Sequence, residues 1–279
     1  MKHSSMQRSK QLTTALTYLF LILGAIIMIF PFVWMVLTSF KTQTESMQIP
    51  PIIFPSHWNL DNFVDAIASL PFVNMYVNTA LMIFFRVICA VVFSSMAGYA
   101  FAKLNFKGKN ILFGLILVQM SLPSQIFILP QYQMVAKLGM ANTIFALVFP
   151  GIVSAFGTFF LRQTYMGIPN EIGEAACLDG CNQFETFVKV MFPLTGTSVA
   201  ALTISTAVFA SGDLMSPLVV NSDLNMMPLS SGLATLRGQF STNFPVLMAG
   251  SLLAMLPMVI LYMIFQRQFI EGIANTGGK

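Results

Sequence analysis

The sequence predicts an all-α membrane protein with six transmembrane helices, and three observations point to it. Of the 279 residues, 56% are hydrophobic and only 9% are charged. A soluble domain carries about 25% charged residues, so this chain has too few to cover a water-facing surface. Mean hydropathy is +0.76. Apolar runs long enough to cross the hydrocarbon core, about 20 residues each, recur along the whole chain.

The six runs fall at about 14–40, 75–101, 110–130, 143–164, 192–219 and 244–266. The first follows MKHSSMQRSK and has the outline of a signal peptide. Its apolar run from Leu16 to Phe40 exceeds an h-region of roughly 7–15 residues and lacks a small-residue cleavage site, so it is expected to be retained. Pro31, Pro123 and Pro150 lie within or near the spans and are expected to kink them, with neighbouring helices satisfying the backbone groups this frees.

Six crossings leave both termini on one side. With the N-terminus inside, the inner segments hold Lys2, Arg8, Lys10, Lys103, Lys107, Lys109, Arg162, Lys189, Arg267 and Lys279. The outer ones hold Lys41, Lys137 and Arg237. The excess of inner cations favours N-in and C-in. The expected organisation is a cytoplasmic tail at 1–13, a first helix at 14–40 and an outer loop at 41–74. A five-helix core follows at 75–266, with a charged cytoplasmic hairpin at 166–191, then a cytoplasmic tail at 267–279. The 41–74 loop carries PPIIFP and HWNLDNF, with room for a short amphipathic helix, and 220–243 forms a second outer loop. No internal repeat of the kind that marks many secondary carriers is evident.

Several functions are excluded or disfavoured. The net charge of +4 resides in cations at the ends of apolar runs, which is a membrane pattern rather than a nucleic-acid surface. Cys89, Cys177 and Cys181 are too few for a disulfide framework. Cys177 and Cys181 have no histidine near enough to complete a metal site, so no metal is expected. The two histidines, His3 and His57, form no nucleophile–base pair, so no catalytic residue is expected. The G-x-x-x-x-G-K-[ST] phosphate loop does not occur.

The hairpin contains EAACLDGCNQFETFVKVMFP, four charged side chains between apolar runs. Asn170 reads as a helix cap, with Glu171 and Glu174 favourable in the first turn. Ile172, Ala175, Ala176 and Asp179 are expected to share a face, and Gly180 to end the helix. Asn182 restarts a second helix with Glu185 as its capping-box partner. Slim alanines with acidic edges suit the close approach of another protein. A solvated connector is the alternative.

Glu174, Ala175, Ala176, Asp179 and Gly180, followed by Phe187 and Pro193–Leu194, resemble the EAA loop of ABC importer permeases. IPNEI, FFLRQTY, LPQYQMVAKLGMANT and the closing FQRQFIEGIANTGGK are similar to the carbohydrate-uptake branch, in its maltose-type second permease. The resemblance implies a type I ABC importer permease fold whose cytoplasmic EAA hairpin couples to an ATPase. It implies a homologous sister permease, two ATP-binding subunits holding ATP and Mg, and an extracytoplasmic solute-binding protein, in a bacterial cell membrane. The chain itself would be non-catalytic and hold no cofactor, passing an oligosaccharide by alternating access. FASGDLMSPLVV departs from the family in having Ser211 and Gly212 where a Trp-Asn pair is common. Thr197 stands where a proline often follows the loop.

Ionisable groups inside a span usually face a cavity or a partner. Arg86, eleven residues into the second span and near mid-membrane, is a candidate contact to an anionic sugar, or else a structural partner of Asp213. Asn78, Gln119 and Gln125 are further candidates for a polar pathway, with helix-packing hydrogen bonds as the alternative. A rival function is an ion-coupled secondary carrier with Arg86 and Asp213 as its coupling pair.

Overall fold

A computed structural model of the chain describes the backbone of residues 2–237 and 242–277, with side chains for the same residues except 2–10, 12, 261 and 264–277. Its contacts divide into two units, 1–69 with 236–255, and 70–235 with 256–279. The side chains of Lys2, Arg8, Lys10, Arg267 and Lys279, which enter the orientation argument, lie outside the described residues.

The first unit opens with α1 (Lys2–Ser39). Residues 2–13, expected as a tail, continue the helix, and Pro31 lies inside it without ending it. Its apolar part, Thr13–Ser39, has none of its most apolar window buried. The segment at 41–74 then continues through α2 (Gln43–Ser46) and α3 (Asp61–Ser69), the latter being the short amphipathic helix the composition anticipates. Buried Asn62 on α3 donates to the carbonyls of Ser39 and Lys41, each at 2.9 Å, satisfying acceptors that the end of α1 would otherwise leave open. Lys41 Nζ donates to Ile52 O at 2.6 Å and lies 4.3 Å from the Trp34 ring; burial pulls its amino group below its usual range. Hydrogen bonds from Ser56 and Thr42 hold the Glu45 carboxyl at about 2.

The second unit is built around α4 (Phe72–Lys103). It continues through α5 (Lys109–Ser121), α6 (Ile128–Lys137), α7 (Ile144–Val148) and α8 (Ala155–Met166). The hairpin is α9 (Asn170–Leu178), α10 (Gln183–Thr186), a π-helical turn at Phe187–Met191 and the short α11 (Phe192–Leu194). Then come α12 (Gly196–Ser211), α13 (Met215–Val220) and α14 (Leu229–Thr235). The last helix, α15 (Phe244–Gly277), has 244–255 in the first unit and the rest in the second, and residues 267–277, expected as a tail, are helical.

Helices α4 and α8 cross where side chains are smallest. A Cβ on Gly98 would stand 2.9 Å from Arg162 N, and one on Gly157 would stand 2.4 Å from Ser94 Oγ. Small residues let backbones approach closely, which is the main source of helix association in lipid. Below the crossing, Tyr99, Leu161, Tyr165, Phe187, Met191 and Leu202 form one buried cluster.

The apolar runs are less regular than their composition suggests. Thr13–Ser39 and Phe72–Lys103 are continuous. Three others are bent pairs: Lys109–Ser121 with Ser124–Lys137 at 105°, Ile144–Gly151 with Ala155–Met166 at 46°, and Gln183–Leu194 with Gly196–Ser211 at 78°. Counting each pair as one crossing gives up to five spans by length and composition. The sixth expected span, 244–266, has its apolar helix Phe244–Ile260 within the described side chains and its remainder largely beyond them. Pro123 lies in the break between Lys109–Ser121 and Ser124–Lys137, where a missing N–H and ring clash disfavour a continuous helix; Pro150 lies in the 3-10 turn Phe149–Gly151, just before the break at 152–154. The kink expected at Pro123 is thus a full break, with two helices meeting at Leu122–Pro123.

Candidate functional site

The hairpin's local structure follows from its sequence. Gly180 has φ +90°, a left-handed conformation that costs other residues a Cβ clash. It lets Cys181 N donate to Ala176 O at 3.0 Å and Gly180 N to Cys177 O at 3.1 Å, the paired bonds of a Schellman cap. Two residues on, Asn182 Oδ1 accepts from Glu185 N at 2.9 Å while Glu185 Oε2 accepts from Asn182 N at 3.0 Å. The expected capping box is present. The expected cap at Asn170 is not, because its Oδ1 instead accepts from Lys103 Nζ at 2.7 Å. Lys103 also donates to Ile168 O at 2.5 Å, so the end of α4 grips the start of α9.

The two alanines of the EAA segment face opposite ways. Ala176 is buried, and Gly173 lies where a Cβ would meet Met191 Cε at 3.0 Å; this side packs inward, onto the hairpin's own return arm. Ala175 is exposed, as are Glu171, Glu174 and Leu178, four residues at the three-four spacing of one helix face. Leu178 is 89% exposed. Asp179 and Gly180 are exposed at the helix end. The single face drawn through Ile172, Ala175, Ala176 and Asp179 is thus corrected to two. The π-helical turn after α10 aims Phe187 into Tyr99, 5.2 Å between ring centroids, and Tyr165, 6.4 Å, joining the return arm to α4 and α8.

Arg86 is the fifteenth of the 32 residues of α4 and is 6% exposed. Its Nη1 donates to Asp213 Oδ2 at 2.8 Å and its Nε to Leu147 O at 2.7 Å. Its methylenes fill the space above Gly151, where a Cβ would stand 2.8 Å away. Asp213 occupies the unwound step between α12 and α13, where Oδ1 accepts from Ser216 N at 3.3 Å and its carbonyl accepts from Ser230 Oγ at 2.6 Å. One guanidinium therefore joins α4, the end of α7 and the break after α12. Arg86 Nη2 is buried and has no hydrogen-bond partner.

The remaining candidates are not gathered here. Buried Asn78, eight residues before Arg86 and roughly 12 Å away along the helix, donates to Asn225 O at 2.7 Å and Met227 O at 3.2 Å. Its amide holds the 221–227 turn. Gln119 on α5 and Gln125 in the 3-10 turn after Pro123 are exposed. Sequence reasoning passed over Lys103 and Leu178. An apolar residue beside a helix-ending glycine was the available sign for Leu178. Nothing local marks Lys103 as a clamp.

Broken apolar helices joined by a buried ion pair, with a capped acidic hairpin between two of them, suit a multi-pass membrane protein with a polar contact surface outside its spans. Residues 90–275 match the family of binding-protein-dependent transport system inner membrane components, and the chain belongs to that family. It is 38% identical over 258 residues to the arabinooligosaccharides transport system permease protein AraQ of Halalkalibacterium halodurans, covering 91% of this chain and 92% of the relative. The AraQ protein of Bacillus subtilis is 31% identical, with 95% of each chain covered. The sn-glycerol-3-phosphate transport system permease protein UgpE of Escherichia coli is 27% identical, over 94% of this chain and 96% of the relative. Among solved structures, a bacterial ABC transporter involved in import of the acidic polysaccharide alginate shares the fold. Its TM-score is 0.78 at 19% identity, covering 94% of this chain and 98% of that one. The chain is thus a multi-pass membrane component of a binding-protein-dependent transport system, and the family favours an ATP-driven importer over an ion-coupled carrier.

Proposed function

We propose that this chain is one of two unlike permease subunits in an ATP-driven importer of oligosaccharides, with its hairpin seated on a separate ATPase. The outward face of α9 carries the proposal: Glu171, Glu174, Ala175 and Leu178 stand exposed together while Ala176 is buried behind them. An apolar side chain 89% exposed on a capped helix is an anchor waiting for a pocket, since such anchors dominate interface energetics. Glu174 supplies a charge-assisted bond to basic or backbone donors, Ala175 permits close approach, and Asp179 with Gly180 shapes the end that enters the groove.

Two ATP-binding subunits hold ATP and Mg, and their closure pushes α9. Lys103 and the Phe187 cluster pass the displacement to α4 and α8, and the spans rock between inward- and outward-open states. An external binding protein delivers solute to the outer segments, both termini lie in the cytoplasm, and no bond chemistry occurs in this chain. The named solutes of the AraQ relatives support an oligosaccharide. Arg86 is already paired with Asp213, so a neutral sugar agrees best with its geometry; the polar path runs past Gln119 and Gln125.

Glu174→Arg in the assembled importer tests this. Insertion and assembly are expected to be normal, with uptake and solute-stimulated ATP hydrolysis both lost. Unchanged uptake would refute hairpin coupling. A Leu178→Glu variant should act the same way, because it buries an unpaired charge in the same contact.

A further inference from the structure

A cavity of about 630 Å³ opens where the end of α4, the 104–108 loop, the start of α5 and the last turns of α8 meet. The transport reading gives it no part. Lys109 and Arg162 both line it, beside Asn110, Phe106 and Met166. Arg162 Nε donates to Phe101 O at 3.2 Å, with its guanidinium 4.0 Å from the Phe113 ring centroid. Lys109 Nζ donates to Leu104 O at 2.8 Å. Those contacts fix both cations in place without neutralising either. Among the described residues the ion pairs are Arg86–Asp213 and Lys189–Glu185, and no acidic residue lines the cavity.

Helix α5 adds a third donor set. It begins at Lys109 after Gly108, with no side-chain cap, so the first-turn N–H groups of Asn110 and Ile111 face no intrahelical acceptor, and the positive end of the helix dipole lies at the cavity. A guanidinium, an ammonium and a helix start around one space are the donor set of a phosphate oxyanion. Depth decides what carries it. Helix α4 has 32 residues, about 48 Å at 1.5 Å per residue, longer than the roughly 30 Å hydrocarbon core. Such a helix must reach beyond the hydrocarbon at one end at least, and the cationic end with Lys103 and Lys109 suits the headgroup layer. Ile111 at 73% exposure and Leu112 at 48% supply an apolar flank beside the cavity for acyl chains.

We propose that this cavity holds the phosphate of an anionic phospholipid, bound by Arg162, Lys109 and the start of α5. The test is native mass spectrometry of the assembled importer in mild detergent, titrated separately with phosphatidylglycerol, phosphatidylcholine and inorganic phosphate. A discrete phosphatidylglycerol adduct on this subunit is expected, with phosphatidylcholine binding much more weakly. Lys109→Gln should weaken retention about fivefold, the value of one cation at a charged membrane surface. Asn110→Glu is the more informative variant. A carboxylate in the first turn favours helix α5 yet repels phosphate, so thermal stability should hold or rise while the adduct is lost. Equal retention of the two lipids, or an adduct unaffected in both variants, would overturn the site. Displacement by inorganic phosphate at millimolar concentration would assign it to the free ion instead and overturn the lipid.

Discussion

At the scale of single residues, Arg86 and Asp213 are the sharpest test. Removing one member of a buried pair leaves the other uncompensated. Arg86→Met should cost about 3 kcal/mol, the low end for such pairs, because Asp213 keeps 23% of its side-chain exposure. Arg86→Met with Asp213→Asn removes both charges and keeps an acceptor for Ser216 N, so most of the thermal stability of the assembled importer should return. If the pair only joins helices, uptake returns with it. A stable double variant with a raised KM for solute would instead make Arg86 a pathway residue. Two lone charges in apolar runs made this pair legible from sequence. The other contacts were not, because Leu147 offers a backbone carbonyl and Gly151 offers empty space. The contacts of Asn78 were hidden for the same reason: its partners at Asn225 and Met227 are main-chain oxygens, which leave no trace in residue type.

At the scale of elements, the hairpin was read well where chemistry is local. Gly180 and the Asn182–Glu185 box act within a few residues, and both stand where spacing puts them. Gly180→Ala should cost about 1–2 kcal/mol. That loss is purely conformational, since nothing lies within 4 Å of the added Cβ. Gly180→Asn should cost less, as asparagine tolerates this region. Limited proteolysis of the hairpin in the assembled importer would read the difference, and equal resistance of wild type and Gly180→Ala would contradict it. The break at Pro123 was legible because proline removes an N–H and crowds the preceding turn, whereas Pro31 sits inside α1 without ending it. The 78° bend at Thr195 has no proline at its apex, and the orientation of Ala175 against Ala176 depends on Met191 across the hairpin. Both are tertiary outcomes.

At the scale of the whole molecule, composition alone gave the membrane and the helical class, since 9% charged residues permit little else. The continuity of the spans was overestimated, because hydropathy records how apolar a run is and not where its backbone turns. Proteoliposomes holding the assembled importer should accumulate solute only with ATP and binding protein, and should continue when ion gradients are collapsed by ionophore. Accumulation on an ion gradient with no ATPase present would reinstate the carrier. The glycine crossing of α4 and α8 bears on how such a machine bends. A methyl group at Gly98 would press on the backbone of α8, so the two rods are expected to resist sliding past each other. They should then travel as a single plank, with the give in the mechanism at the breaks beside Pro123, at 152–154 and at Thr195.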